Sequence, residues 1–139
     1  MDDIDRQRIA ESFAAQNMMH TFGAELSSVE PEQVVITAPI LTCALQQQGL
    51  GHAALTFSIG DSAAGYAALT TLPLDREVVT AEIKINLLAP AKGELLRATG
   101  RVVKPGKRLI VVTSEVHAIQ EGSETLIAVL QGTMVPVPR

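Results

Sequence analysis

The run from Gln46 to Thr71, QQQGLGHAALTFSIGDSAAGYAALTT, constrains the fold more than any other stretch of this chain. Gly49, Leu50 and Gly51 read as a turn, His52 follows, and about five turns of helix then carry Asp61 and Tyr66 as their only ionisable side chains. Leu55, Phe57, Ile59 and the alanines leave no polar stripe, so the helix is expected to be covered on nearly all sides. An ionised carboxylate costs several kcal/mol in such surroundings unless it is paired or hydrogen-bonded. Asp61 is therefore either a satisfied structural acid or a working one.

With 139 residues the chain has the size of one domain, and because it is 47% hydrophobic but only 3% aromatic its core must be filled by Ala, Val, Ile and Leu. Small side chains favour closely spaced elements. A net charge of −4 and the scarcity of aromatic rings argue against a nucleic-acid surface. The lone Cys43 has no internal disulfide partner, MDDIDRQR lacks the layout of a signal peptide, and no uncharged apolar run suits a membrane span. The expectation is a soluble, cytoplasmic protein with no membrane or nucleic-acid partner.

An amphipathic helix is expected at about residues 3–19, and Ala24 to Glu30 and Gln33 to Ile40 read as strands joined at Pro31 and Glu32. After the central helix, which Pro73 ends, VVTAEIKINLL alternates Val79, Ala81, Ile83, Ile85 and Leu87 against Val78, Thr80, Glu82, Lys84 and Asn86. The second set forms the wetter face. Turns at Pro90 to Gly93, Pro105-Gly106 and Glu121-Gly122 then divide strands at Glu94 to Lys104, Lys107 to Ile119 and Glu124 to Val135. Four long strands joined by short turns predict an antiparallel meander. Strands of about eleven residues span roughly 35 Å, long enough to wrap a helix of roughly 27 Å.

A long buried helix clasped by a curved antiparallel sheet is the α+β hotdog arrangement. GLGHAALTFSIGDSAAGYAA resembles the segment of the phenylacetate-pathway (PaaI-type) acyl-coenzyme A thioesterases in which G-x-x-H-G-G opens the helix and an acid follows. VVTAEIKINLLAPA and LIAVLQGTMV are similar to that family's next and last strands, so the likeness runs from roughly Phe22 to Val135. It departs at His52-Ala53-Ala54, where the family commonly has His-Gly-Gly, and at Gln46, where related enzymes often have Asn. Alanine keeps the backbone N–H. The resemblance implies one hotdog thioesterase-like domain over 1–139, acting on acyl-coenzyme A as a dimer or dimer of dimers.

Thioester hydrolysis needs donors for the carbonyl oxygen and a group that activates water or attacks directly. Backbone N–H groups of Ala53 and Ala54 at the helix amino terminus suit the first role, and Asp61 suits the second as base or nucleophile. Ordinary capping and a hydrogen-bonded acid are the bland alternatives. Ala53 and Asp61 are eight residues apart, about 12 Å along the axis, whereas reacting atoms must approach to about 3–3.5 Å. One chain therefore cannot supply both groups to one carbonyl, and the pocket is expected to be shared between subunits.

By its place in the resemblance, Thr80 matches a hydroxyl that helps to place water, and Gln46 matches the amide that donates to the thioester carbonyl. A plain strand residue and a solvated loop glutamine are the alternatives. Gly51, His52 and Ala54 are candidate substrate contacts, with His52 given a positional role at the helix start; no second His or Cys lies at a metal-ligand spacing, and neither metal nor cofactor is expected. Lys104, Lys107 and Arg108 flank the Pro105-Gly106 turn, either as a solvated hairpin or, as the resemblance implies, near coenzyme A phosphates. The leading expectation is an acyl-coenzyme A thioesterase. A non-catalytic acyl-ligand binding module is the alternative, and a hydratase is weaker because no Asp-His loop pairing is visible.

Overall fold

The computed structural model describes all residues, Met1–Arg139. Its order is α1 (Asp3–Ala14), α2 (Asn17–Thr21), β1 (Glu25–Glu30), β2 (Gln33–Ala38), α3 (Ala53–Leu69), β3 (Arg76–Leu87), β4 (Leu95–Lys104), β5 (Ile110–Gln120) and β6 (Ser123–Pro138). One six-stranded antiparallel sheet, ordered β1-β2-β4-β5-β6-β3, lies against α3 through five of its strands. This is the expected hotdog arrangement.

The small-residue core has a direct geometric consequence. Gly100 in β4 lies so close to α3 that a methyl group there would sit 2.2–2.4 Å from backbone atoms of Ala63 and Ala64. Helix and sheet touch backbone to backbone, and Leu55, Ile59, Ala63, Ala67 and Leu69 are buried against Val34, Ile36, Leu96, Ala98 and Val116. Each large aliphatic side chain buried this way contributes about 1.5–3 kcal/mol.

Four sequence expectations change. The single amino-terminal helix is two, because Ala15 and Gln16 break it, with Gln16 in an extended conformation (φ −81°, ψ 102°). The meander contains only β4, β5 and β6. β3 does not pair with β4: its connection crosses the end of the sheet, fastened by Leu88 N–H to Ile127 O (2.8 Å) and by Gly51 N–H to Ala91 O (2.8 Å), and delivers β3 to the far side of β6. β3 is thus an edge strand, hydrogen-bonded on one side only. Thirdly, α3 is not covered all round. Phe57, Ser58, Asp61, Ser62 and Gly65 form a half-exposed stripe, since the sheet wraps one side and α1 another.

The fourth change concerns the faces of β3. A bulge between Thr80 and Glu82 adds a residue opposite β6, which exchanges inside and outside for everything before it. Val78 packs on the core with Ile83 and Ile85, whereas Val79 is 50% exposed. Thr80 therefore faces the helix instead of the wetter side.

α1 is anchored by Arg8, a buried cation that the sequence reading passed over. Its guanidinium donates to the carbonyls of Leu69 (3.0 Å), Leu72 (2.9 Å) and Pro73 (2.8 Å), and Asp5 lies 3.7 Å away. The cation sits on the negative end of the α3 dipole and satisfies its orphan acceptors. No helix of the chain is long and apolar enough to cross a membrane.

Candidate active site

Two cavities lie along α3. The first, about 400 Å³, surrounds its amino terminus and is lined by Gln46, Gly51, His52, Ala53 and Thr56, with Leu87 and Ala91 across from them. The loop is held by its own polar atoms: Gln46 Oε1 accepts from the N–H groups of Gln48 and Leu50 (2.5 and 3.3 Å). With that oxygen so held, the Gln46 amide nitrogen has one protein contact, a long 3.3 Å bond to Gln48 Oε1. Gly51 is required by close approach, since a methyl there would meet Ala91 Cβ at 2.9 Å.

His52 is the N-cap of α3. Its Nδ1 accepts from Ala54 N–H at 2.8 Å, so the imidazole replaces the usual Ser or Asp cap and carries its proton on Nε2. This agrees with a positional role and corrects the expectation of two free donors. Ala54 N–H is occupied and Ala54 does not line the cavity, whereas Ala53 N–H has no partner within the chain. Gly51 N–H is likewise spent, on Ala91 O.

The second cavity, about 250 Å³, holds Asp61. It is lined by Ser12 from α1, Gln16 from the break before α2, Tyr66 from α3, Thr80 from β3 and Met134 from β6. Thr80 Oγ1 donates to Asp61 Oδ1 at 2.8 Å and also lies 3.3 Å from Met134 Sδ. Burial pushes the Asp61 carboxyl above the ordinary carboxylate range, and the Thr80 hydrogen bond opposes this. The bulge makes the contact possible. It in turn depends on Gly132, because a methyl at that position would fall 2.4 Å from Glu82 O and 2.8 Å from Ile83.

The two cavities share no residue. Asp61 and Thr80 are brought together, Gln46, His52 and Ala53 are brought together, and the two groups are kept apart. Lys104, Lys107 and Arg108 are exposed on the β4–β5 hairpin, in neither cavity, and pair with no carboxylate. Ile110, just beyond them, pairs with Met134, which pairs with Thr80. Ile110 is thus two strand spacings, roughly 10 Å, from Thr80, the hydrogen-bond partner of the acid. Ser12, Gln16, Tyr66 and Met134 were missed by sequence reasoning; only Tyr66, the second ionisable group of the apolar helix, carried a signal. The largest hollow, about 670 Å³ on the outer sheet face around Gln131 and Thr133, contains none of these groups.

The sequence profile of the Thioesterase superfamily matches residues 48–125, which include the amino terminus of α3, Asp61 and Thr80. The crystal structure of a thioesterase family protein from Silicibacter pomeroyi superposes with a TM-score of 0.94 at 36% identity, over 97% of this chain and 99% of that one. The Escherichia coli PaaI protein, from the phenylacetic acid degradation operon, has the same fold, with a TM-score of 0.84 at 20% identity over 96% and 93% of the two chains. A Saccharolobus solfataricus protein named as a candidate esterase is 39% identical over 87 residues, 63% of this chain; the match spans about half of that relative, 55% of its length. On the profile match and the Silicibacter likeness, read with the geometry above, the chain belongs to the thioesterase superfamily.

Proposed function

We propose that the protein hydrolyses acyl-coenzyme A thioesters at a pocket shared by two copies, each supplying Asp61 to one pocket and the α3 amino terminus to the other. The observation that carries this reading is the separation of acid and donor into two cavities about 12 Å apart on one helix. A twofold pairing of antiparallel α3 helices brings one chain's acid to the other chain's donor, twice. The open edge of β3 and the half-exposed stripe through Phe57 and Asp61 are the surfaces such a pairing would cover.

The thioester carbonyl oxygen accepts from Ala53 N–H and the Gln46 amide, whose fixed dipoles stabilise the charge that develops there. Asp61 either removes a proton from water as the water oxygen adds to the carbonyl carbon, or attacks that carbon itself. Collapse of the tetrahedral adduct breaks the C–S bond, and the departing thiolate takes up a proton; where Asp61 is the attacking group, water then hydrolyses the Asp61–acyl anhydride, releasing the carboxylic acid and restoring the carboxylate. Thr80 holds the carboxylate, and its hydroxyl can also orient water. Gly51 and His52 shape the wall along which the thioester lies, and Lys104, Lys107 and Arg108 meet coenzyme A phosphates as unpaired cations.

Thiol release from short, medium, long and aryl acyl-coenzyme A esters tests the reading. Turnover should appear in the wild type and fall about 10²–10⁴-fold in Asp61→Asn. Undiminished turnover in that variant would reject the role of Asp61. Stabilisation by acyl-coenzyme A without any thiol would mark an acyl-ligand binding module instead.

A further inference from the structure

The Asp61 cavity carries polar atoms that no step of hydrolysis uses. Tyr66 is only 7% exposed. Gln16 Nε2 donates to its hydroxyl oxygen at 2.8 Å, and Ser12 Oγ lies 3.0 Å from the same oxygen. Ser12 and Tyr66 bring two hydroxyl hydrogens, and one of them is spent in the bond between them. The other has no acceptor in the protein, whichever residue donates. Gln16 Oε1 and the second hydrogen of Gln16 Nε2 also lack protein partners, so the cluster presents two free donors and a free acceptor where all three residues line the cavity.

Charge narrows what fits there. The ionisable groups lining the cavity are Asp61, Glu77 and Tyr66, with no Lys, Arg or His among them. A second carboxylate would enter a space already held by acids. Position narrows it further: Tyr66 lies five residues beyond Asp61, about 7.5 Å along the helix. That is the reach of roughly five or six zigzag bonds of about 1.5 Å.

We infer that the Asp61 cavity selects a short, neutral acyl group bearing a hydroxyl at its far end, which donates to Gln16 Oε1 and accepts from the Ser12–Tyr66 pair. The inference rests on the thioesterase reading and names its substrate class. An alkyl end leaves the half-buried cluster without a partner from the substrate, and a carboxylate end is repelled.

The test compares kcat/KM for hexanoyl-, 6-hydroxyhexanoyl- and 5-carboxypentanoyl-coenzyme A in the wild type, in Gln16→Leu and in the double variant Ser12→Ala/Tyr66→Phe. The hydroxylated ester should be favoured over hexanoyl by about three- to tenfold, with the carboxylated ester the poorest. Gln16→Leu, which removes the free acceptor, and the double variant, which removes both hydroxyls, should each bring the hydroxy-to-alkyl ratio towards one, and Gln16→Leu decides alone if the double variant does not fold. A wild type that prefers hexanoyl or the carboxylated ester, or a ratio that neither variant moves, overturns the inference. Turnover of other acyl-coenzyme A esters but none of these three overturns it too and leaves the thioesterase reading standing. No thiol from any ester defeats both.

Discussion

The two cavities on α3 are built in opposite ways. At the amino terminus every important group comes from a short segment: Gln46 fixes its own loop, His52 caps the helix it opens, and Ala53 follows directly with its free N–H. At the middle of the helix, Asp61 depends on parts distant in the chain: Thr80 from β3, Met134 from β6, Ser12 from α1 and Gln16 from the break before α2. A donor site can be made by local geometry because a helix end exposes orphan N–H groups wherever it starts. An acid with a raised pKa has to be enclosed, and enclosure is a property of the whole fold.

Loss of the acid should have the largest effect. Beyond its loss of turnover, Asp61→Asn should be more stable than the wild type at neutral pH. The native carboxyl has a raised pKa, so the native state binds its proton more tightly than the unfolded chain does. The stability this gives is present below the unfolded value of about 3.9 and is lost as pH rises through the folded value. Thermal unfolding of both proteins from pH 4 to pH 8 should show the advantage of Asn growing with pH.

The donor half admits an unusually clean deletion. Ala53 is the first residue of α3, where proline is well tolerated, and His52 before it already has the extended backbone (φ −65°, ψ 145°) that proline demands. Ala53→Pro should remove the N–H, lower kcat about 10²–10³-fold and change stability by no more than about 1 kcal/mol. Wild-type kcat in this variant would end the oxyanion role of Ala53.

Gly132→Ala should have a smaller effect, confined to the acid half. A methyl there presses on the β3 bulge and shifts Thr80, so kcat should drop about tenfold. Losing the Thr80 hydrogen bond removes what lowers the Asp61 pKa, and the acid limb of the pH–rate profile should move to higher pH. Thr80→Val should move it the same way. A loss of rate with an unmoved limb would mean that Gly132 acts elsewhere. The smallest change belongs to His52: Asn also caps helices, so His52→Asn should retain activity within about threefold, whereas His52→Ala should cost about 1 kcal/mol of stability.

What could be read from the chain follows the same division. The central helix was legible to within about two residues because an apolar run of that length, opened by Gly-Leu-Gly-His and closed before Pro73, admits little else. The separation of Ala53 from Asp61 was legible because helical rise fixes it. The face on which Thr80 lies was not. Val78 and Val79 are equally suited to the interior, and alternation alone does not reveal the extra residue in the β3–β6 ladder. Nor does a Pro90 to Gly93 turn distinguish a hairpin from a crossover, because strand neighbours are chosen by the packed sheet. Arg8 and Gln16, polar residues on a helix that looked merely amphipathic, became meaningful only once α3 and Tyr66 lay beside them.

Mixing two crippled chains decides whether the halves meet across a subunit boundary. Asp61→Asn and Ala53→Pro proteins, each nearly inactive alone, are unfolded together at equal concentration, refolded, and assayed for thiol release. If each pocket takes its acid from one copy and its donor from the other, random pairing leaves one intact pocket in half of the dimers. Activity should then return to about a quarter of wild type. If refolded wild type is active and mixed dimers form but the mixture stays at the sum of its parts, each pocket lies within a single chain and the shared site is wrong.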